Sequence, residues 1–497
     1  MTDTGWFAYA PDGPEAPVPP KRRVPVAAIV AVLVVLALIA GGLVAFLVLK
    51  DDGDEPSYPK TWDSRIAPYV KIVEKERRLT FKHPVEVRFL DAAAFEKTVK
   101  SEDKDLDKKE RREIDEVTSL FRAFGLIDGD VDLFEAFNDA YGSGTLAYYS
   151  FDDQRITVKG KELSLAVRAT LVHELTHALQ DQRFDIGNRM DRLSKETESG
   201  KPTTAYDALE AIVEGDAERT ADLYRKTLSA ADQKALAKAE EEDQGDAQKG
   251  LEKVPGVVVS LISAPYALGQ ALTEAVAEED KDDVDDLFRD PPTNDSVLVD
   301  PMAAATGDTD IADVAVPGLE DGEKKFDSGQ IGALTTYLML AQRIPVLDAL
   351  AATDGWDGDA FVAFTRDDVK CARVSYATKD DAATGRLLAA LRTWIAAVPG
   401  SKAEATRDGD RIVFESCDPG TSAELGKDHS TTAVELVATR AYLGVGVLQA
   451  GANADTAKCF AHQMIEQFPV AELQNPNLGK DDPAVVRKIQ KIATDCR

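Results

Sequence analysis

Hydrophobic and polar positions divide the chain sharply. Val24–Leu49 carries no charged side chain over 26 residues, whereas a bilayer core needs about 20 apolar residues. The pattern predicts a membrane span over 24–49. Beyond a polar linker at 50–60, HPVEVRFL (83–90) alternates, with Val85, Val87 and Phe89 on one face, and predicts a strand. Residues 101–116 mix both charge signs and predict a solvated helix or loop, continued by a helix with Ile114, Val117, Leu120, Phe121 and Phe124 on one face. TLAYYSF (145–151) and QRITV (154–158) flank Asp152 and Asp153 and predict a hairpin.

Helical periodicity follows over 162–182 and 203–229, and over the polar stretch 231–250. The uncharged run 254–273 resembles a second span, but Pro265, Tyr266, Gln270 and its serines predict a buried helix pair. Residues 276–326 are acidic, with DPPTNDS (290–296) as a loop signal, and 329–353 read as helix. Strand 369–377, helix 380–397 and strand 411–416 predict an α/β unit. Three helical stretches from Thr431 onward predict a small tail domain. The fold class expected is α+β, predominantly helical.

Charge assigns the two sides of the membrane. Lys21, Arg22 and Arg23 precede the span; Asp51, Asp52, Asp54 and Glu55 follow it. Basic flanks stay cytoplasmic, so the Pro-rich tail 1–23, expected to be disordered, faces the cytoplasm and residues 50–497 face outward. The chain has 58 Lys and Arg against 88 Asp and Glu, a net charge of −30. That balance argues against a nucleic-acid partner, whose phosphates would be repelled. All four cysteines lie beyond the span, in an oxidising compartment. Sequential pairing, Cys371–Cys417 and Cys459–Cys496, is the expectation. A zinc cluster is the rival, but only Cys459 and His462 have ligand-like spacing.

Chemistry concentrates at His173-Glu174-Leu175-Thr176-His177, which holds two of the five histidines. On a helix, positions i and i+4 share a face, so both imidazoles reach one ion. Glu174 is rotated by about 100° and is placed as a general base instead. Leu163, Val167, Leu171, Leu175 and Leu179 supply an apolar face. A catalytic zinc takes a third protein ligand. Arg183 and Gln180 stand where an HExxHxxGxxH pattern requires His and Gly, and the next histidine is the distant His429. A carboxylate on the following helix is therefore expected, from Glu210, Glu214, Asp216 and Glu218. Glu214 is the choice. Gly215 beside it removes bulk where this helix must approach the histidine helix, and Glu218 is placed to back a ligand histidine.

HELTHALQDQ followed by VEGDA resembles the gluzincin, thermolysin-like group of zinc metallopeptidases. PPTNDSVLVDP and AATDGWDGD resemble segments of bacterial exported HExxH proteins of unassigned function. The resemblance implies one Zn²⁺ held by His173, His177 and Glu214, Glu174 as the base, and a small sheet preceding the zinc and glutamate helices. The resemblance is specific over about 140–220 and extends to about 400; the metallopeptidase region is expected at 61–428, and a small disulfide-linked helical domain at 429–497 lies outside the resemblance. Such enzymes add a Tyr or His that steadies the oxyanion; Tyr266, Tyr148, Tyr149 and His429 are the candidates. The expected activity is that of a membrane-anchored zinc metallopeptidase acting on protein or peptide outside the cell. The alternative is a non-catalytic envelope scaffold of the same fold. In the scaffold the general base would have no task, so the presence of Glu174 favours the enzyme.

Overall fold

The computed structural model describes residues 58–99, 106–142, 145–279, 283–398, 402–423, 428–475, 477–480 and 482–497. The expected tail (1–23), span (24–49) and all but the last three residues of the linker lie outside the described residues. Helices dominate, with two small sheets, as the α+β expectation required.

The first sheet has three strands: β1 (Glu86–Leu90), β2 (Ala147–Ser150) and β3 (Arg155–Lys159). Their order is β1-β3-β2, with β2 and β3 forming the expected antiparallel hairpin and β1 running parallel to β3. On this sheet lies the helix Leu165–Phe184, hereafter the histidine helix. Ser164 starts it by accepting a hydrogen bond from the Val167 N–H. Val167, Leu171, Leu175 and Leu179 pack on Ile156, Val158 and Tyr149 of the sheet. Fully burying each such side chain contributes about 1.5–3 kcal/mol, which fixes the rotation of the helix. Its histidines consequently face the other way, toward the helix Ala205–Thr227, the glutamate helix.

Residues 254–273 do not form a helix pair. From Gly256 onward they belong to one helix, Gly256–Glu279, with Pro265 inside it. Among the described residues it alone is long and apolar enough to cross a membrane, but 83% of its apolar window is buried within the protein. It packs on the glutamate helix on one side and on the helix Ser430–Gln449 on the other. Ala433, Val434 and Val437 of that last helix share a core with Val258, Ile262 and Leu268.

The second sheet departs furthest from expectation. Strands β4 (Lys324–Gly329), β5 (Trp356–Arg366), β6 (Val369–Thr378), β7 (Ala403–Asp408) and β8 (Arg411–Cys417) form an antiparallel sheet in the order β4-β5-β6-β8-β7. The expected strands are β6 and β8, neighbours in it. β4 was hidden in an acidic stretch, and β5 is an apolar run buried on both faces, which has no alternation to detect. The acidic region also carries the short helices Asp283–Arg289, Ser296–Val299 and Met302–Thr306, and the helical stretch 329–353 is broken before Pro345. Within GWDGD, the Asp359 carboxylate accepts from the Ile331 and Gly332 N–H groups and from the Trp356 indole, pinning β5 to the start of the helix Ala333–Ala341. Both disulfides pair as expected: Cys371–Cys417 joins directly opposed residues of β6 and β8, and Cys459–Cys496 ties two C-terminal helices.

Candidate metal centre

His173 and His177 stand one turn apart on the histidine helix, and Glu214 reaches them from the glutamate helix. The two Nε2 atoms are 2.9 Å apart. Glu214 Oε2 is 3.1 Å from that of His173 and 3.4 Å from that of His177. All three residues are buried, Glu214 at 1% exposure.

Their neighbours assign the imidazole protons. Gln180 donates its Nε2 hydrogens to Val213 O at 3.0 Å and to Asp216 Oδ2 at 2.8 Å. That turns Gln180 Oε1 to His177 Nδ1, 3.1 Å away. An amide oxygen only accepts, so His177 carries its proton on Nδ1 and presents a lone pair at Nε2. Glu218 Oε2 faces His173 Nδ1 at 3.4 Å, and neither atom has a hydrogen-bond partner among the described residues. Burial opposes its charge, but Arg225 and His173 hold the Glu218 carboxyl down at about 2, so His173 likewise turns a proton outward, on Nδ1.

Three ligand-type atoms thus converge, and they would repel one another unless a proton or a cation stands between them. Zinc–nitrogen bonds of ~2.0–2.1 Å at tetrahedral angles would set ligand atoms about 3.3 Å apart, close to the spacings seen. The group His173, His177 and Glu214 fits a metal ion. The metal-free electrostatics make the same demand. Burial opposes the imidazolium of His173, yet Glu214, Glu218 and Glu174 raise it to about 10. Burial also opposes the Glu214 carboxylate, and His177 and His173 still draw it down to about 2. A proton held there is what a metal ion would displace.

Glu174 lies outside the triangle, as its helical rotation requires. Its Oε2 accepts the Tyr149 N–H of β2 at 2.8 Å. Burial raises its carboxyl to about 7, despite the nearby histidines, within the range that suits a general base.

The remaining candidates separate cleanly. Glu210, one turn before Glu214, touches no histidine, and burial, with Asp207 and Glu214 nearby, pushes its carboxyl well up. Asp216 anchors Gln180 and pairs with Arg77 at 2.7 Å. Tyr266 stacks on His173, ring centroids 6.1 Å apart and nearly parallel. Tyr149 commits its hydroxyl to Asp181 at 2.9 Å. Tyr148 turns to the other face of β2, against Phe95, and His429 sits exposed at the start of the helix Ser430–Gln449. Gly215 does not serve the histidine helix. A Cβ there would stand 2.1 Å from the carbonyl of Gly269 on Gly256–Glu279. Glu214 faces the histidines, so its neighbour, about 100° round the helix, faces the third helix.

Gln180, Arg77, Arg225 and the Tyr149 N–H were not anticipated. Only Gln180 left a signal: three residues past His177, it shares that histidine's face. No family model, curated protein or solved structure matches the chain.

Proposed function

We propose that the chain is a membrane-anchored zinc metallopeptidase of gluzincin type, with residues 1–23 cytoplasmic, 24–49 spanning the bilayer and 50–497 extracytoplasmic. The observation that carries the reading is the convergence of one ligand atom each from His173, His177 and Glu214, with Glu174 beside them as a buried carboxyl raised to about 7. The two disulfides agree with an oxidising compartment.

A zinc ion bound there would supply Lewis acidity toward a peptide carbonyl and a water nucleophile at neutral pH. The chain's own groups do the rest. Glu174 takes the proton of the attacking water and delivers it to the leaving amine. The Tyr149 N–H holds Glu174 Oε2, leaving the other carboxylate oxygen as the proton acceptor. Burial, with Glu214, Glu210 and Glu174 close by, keeps the Tyr266 phenol protonated. It is therefore a donor, and of the four oxyanion candidates it alone packs on a ligand histidine without a committed hydroxyl. Protein or peptide is the substrate.

The second reading, a non-catalytic envelope scaffold, draws on one observation: His173, Glu174, His177 and Glu214 are each no more than 4% exposed, which a structural site tolerates and a peptide substrate must overcome.

One experiment separates the two. The full-length protein, purified in detergent, should hold one zinc per chain and cleave an unfolded protein. Glu174→Gln should keep the zinc and lose activity by ~10²–10⁴-fold. Absence of zinc uptake in the wild type refutes the metal centre. Zinc without any hydrolysis supports the scaffold, and an active Glu174→Gln variant removes this glutamate from the mechanism.

A further inference from the structure

We propose that Arg77, Asp216 and Gln180 form a positioning relay that sets the tautomer of His177 and, through it, the affinity of the centre for its metal. The inference rests on the metallopeptidase reading only in naming zinc; the tautomer is a property of the metal-free chain.

His177 can offer Nε2 to a metal only while its ring proton sits on Nδ1. The group facing Nδ1 is the Gln180 amide, which has two ends of nearly equal shape. In the observed orientation Oε1 faces the ring, 3.1 Å away. Reversal would put an N–H against Nδ1 and drive the ring proton onto Nε2, where it blocks coordination. What prevents reversal is the far side of the amide. Its Nε2 donates to Val213 O and to Asp216 Oδ2. Turned round, Oε1 would meet a carbonyl oxygen and a carboxylate, losing two hydrogen bonds and gaining repulsion.

Asp216 imposes that orientation by presenting Oδ2 as an acceptor, and it is completely buried. A buried polar group needs partners that fix its orientation. Arg77 is such a partner: its Nε lies 2.7 Å from the same Oδ2, and its Nη2 binds Asp285 at 2.7 Å. The other oxygen, Oδ1, has no hydrogen-bond partner among the described residues. A buried ion pair with an idle oxygen is a costly way to join helices, and an apolar contact of similar size would serve stability as well. The arrangement makes sense if the placement of negative charge beside Gln180 is what matters.

The other histidine has no such need. His173 faces the Glu218 carboxylate directly, backed by Arg225 at 2.7 Å, and a carboxylate presents an acceptor whichever way it turns. Of the two histidines, only His177 is reached through a reversible amide, and a carboxylate and an arginine stand behind that amide to fix it. Arg77 ends the first described helix, Ala67–Arg77, so the relay ties the chain's entry into the domain to the metal centre.

The test uses the full chain in detergent, metal-free, with ¹⁵N-labelled histidine. Long-range ¹H–¹⁵N spectra report each tautomer, and with five histidines in the chain the His177 signal is assigned by its loss in His177→Ala. Zinc affinity is read by competition with a chromophoric chelator. In Asp216→Asn the new amide can face Gln180 either way, so part of His177 should move its proton to Nε2, and zinc affinity should fall about 10–100-fold. The exchange Gln180→Glu with Asp216→Asn should rescue both readouts. The carboxylate introduced at 180 accepts from Nδ1–H on one side and from the asparagine amide on the other and leaves the net charge unchanged; it forfeits the hydrogen bond to Val213 O, so the tautomer should return and the affinity should recover in part. Wild-type tautomer and affinity in Asp216→Asn overturn the proposal, as does a folded exchange variant that restores neither. Should Asp216→Asn not fold, Gln180→Met carries the test, and unchanged zinc affinity in that variant refutes the relay. If the wild type takes up no zinc, the metallopeptidase reading falls, while the histidine spectra still decide the relay.

Discussion

Glu210 and Glu214 are both buried, one turn apart on one helix, and chemically identical, yet the structure treats them oppositely. Glu214 meets two imidazoles and is drawn down to about 2. Glu210 meets Asp207 and Glu214, and burial pushes it well up. The first is drawn toward its anion, the second toward its neutral acid. Glu214→Gln should therefore abolish tight zinc binding, measured as metal content after dialysis, because an amide is a weak ligand and leaves the two imidazoles alone. Glu210→Gln preserves the shape of a neutral acid and should keep the wild-type zinc stoichiometry. Zinc lost from the second variant and retained by the first would reverse the ligand assignment.

At the scale of elements, the centre depends on how closely two helices cross. A Cβ on Gly215 would lie 2.1 Å from Gly269, and a Cβ on Gly269 would lie 1.9 Å from Ala211 O. Neither clash can be relieved by a side chain, because the atoms met are backbone. Forcing atoms into packed contacts typically costs 1–3 kcal/mol or more. Gly269→Ala should lower the melting temperature and also weaken zinc binding, since Glu214 and Tyr266 ride on the two helices pushed apart. Gly385→Ala is the comparison. Gly385 is exposed within the helix Asp381–Ala396 and nothing lies within 4 Å of its Cβ position. There alanine should stabilise by about 0.5–1 kcal/mol through helix propensity and leave the zinc untouched. Equal behaviour of the two variants in thermal melts would rule out the close crossing.

Across the whole molecule, the five-stranded sheet is cross-linked by charge as well as by sulfur. Glu323 binds Arg366 and Arg373, and both arginines also bind Glu415 of β8. Burial opposes the Glu323 carboxylate, but Arg373, the Glu320 N–H and Arg366 outweigh it and hold the group at about 2. An unfolded glutamate titrates near 4.3. The folded chain therefore binds fewer protons between these values, and stability rises with pH across that window. The contribution is complete above about pH 4.3 and is lost as pH falls toward 2. Glu323→Gln should melt lower than wild type at pH 7, and the gap should close progressively from pH 5 to pH 2. A gap independent of pH would mean that the ion pairs contribute nothing through ionisation.

Local chemistry was legible in the sequence. The four-residue spacing of His173 and His177, the rotation of Glu174 out of their plane, the β2–β3 hairpin and the sequential disulfides each follow from short-range periodicity or order along the chain, and the described structure shows each of them and brings Glu214 to the two histidines. Contacts between distant segments left no such trace. β5 is buried on both faces and shows no alternation. Gly215 signalled a close approach, but which helix approaches is decided by packing, and the partner is Gly269 rather than the histidine helix. Asp216 could be read only as a spare ligand until Arg77, 139 positions away, was brought against it. Gln180 carried no metal-ligand chemistry of its own, and its role exists only because Val213 and Asp216 hold one end of its amide. Periodicity is a property of neighbours in sequence and decides which way side chains point; what they meet there is set by the burial of apolar faces elsewhere, and tertiary structure alone supplies it.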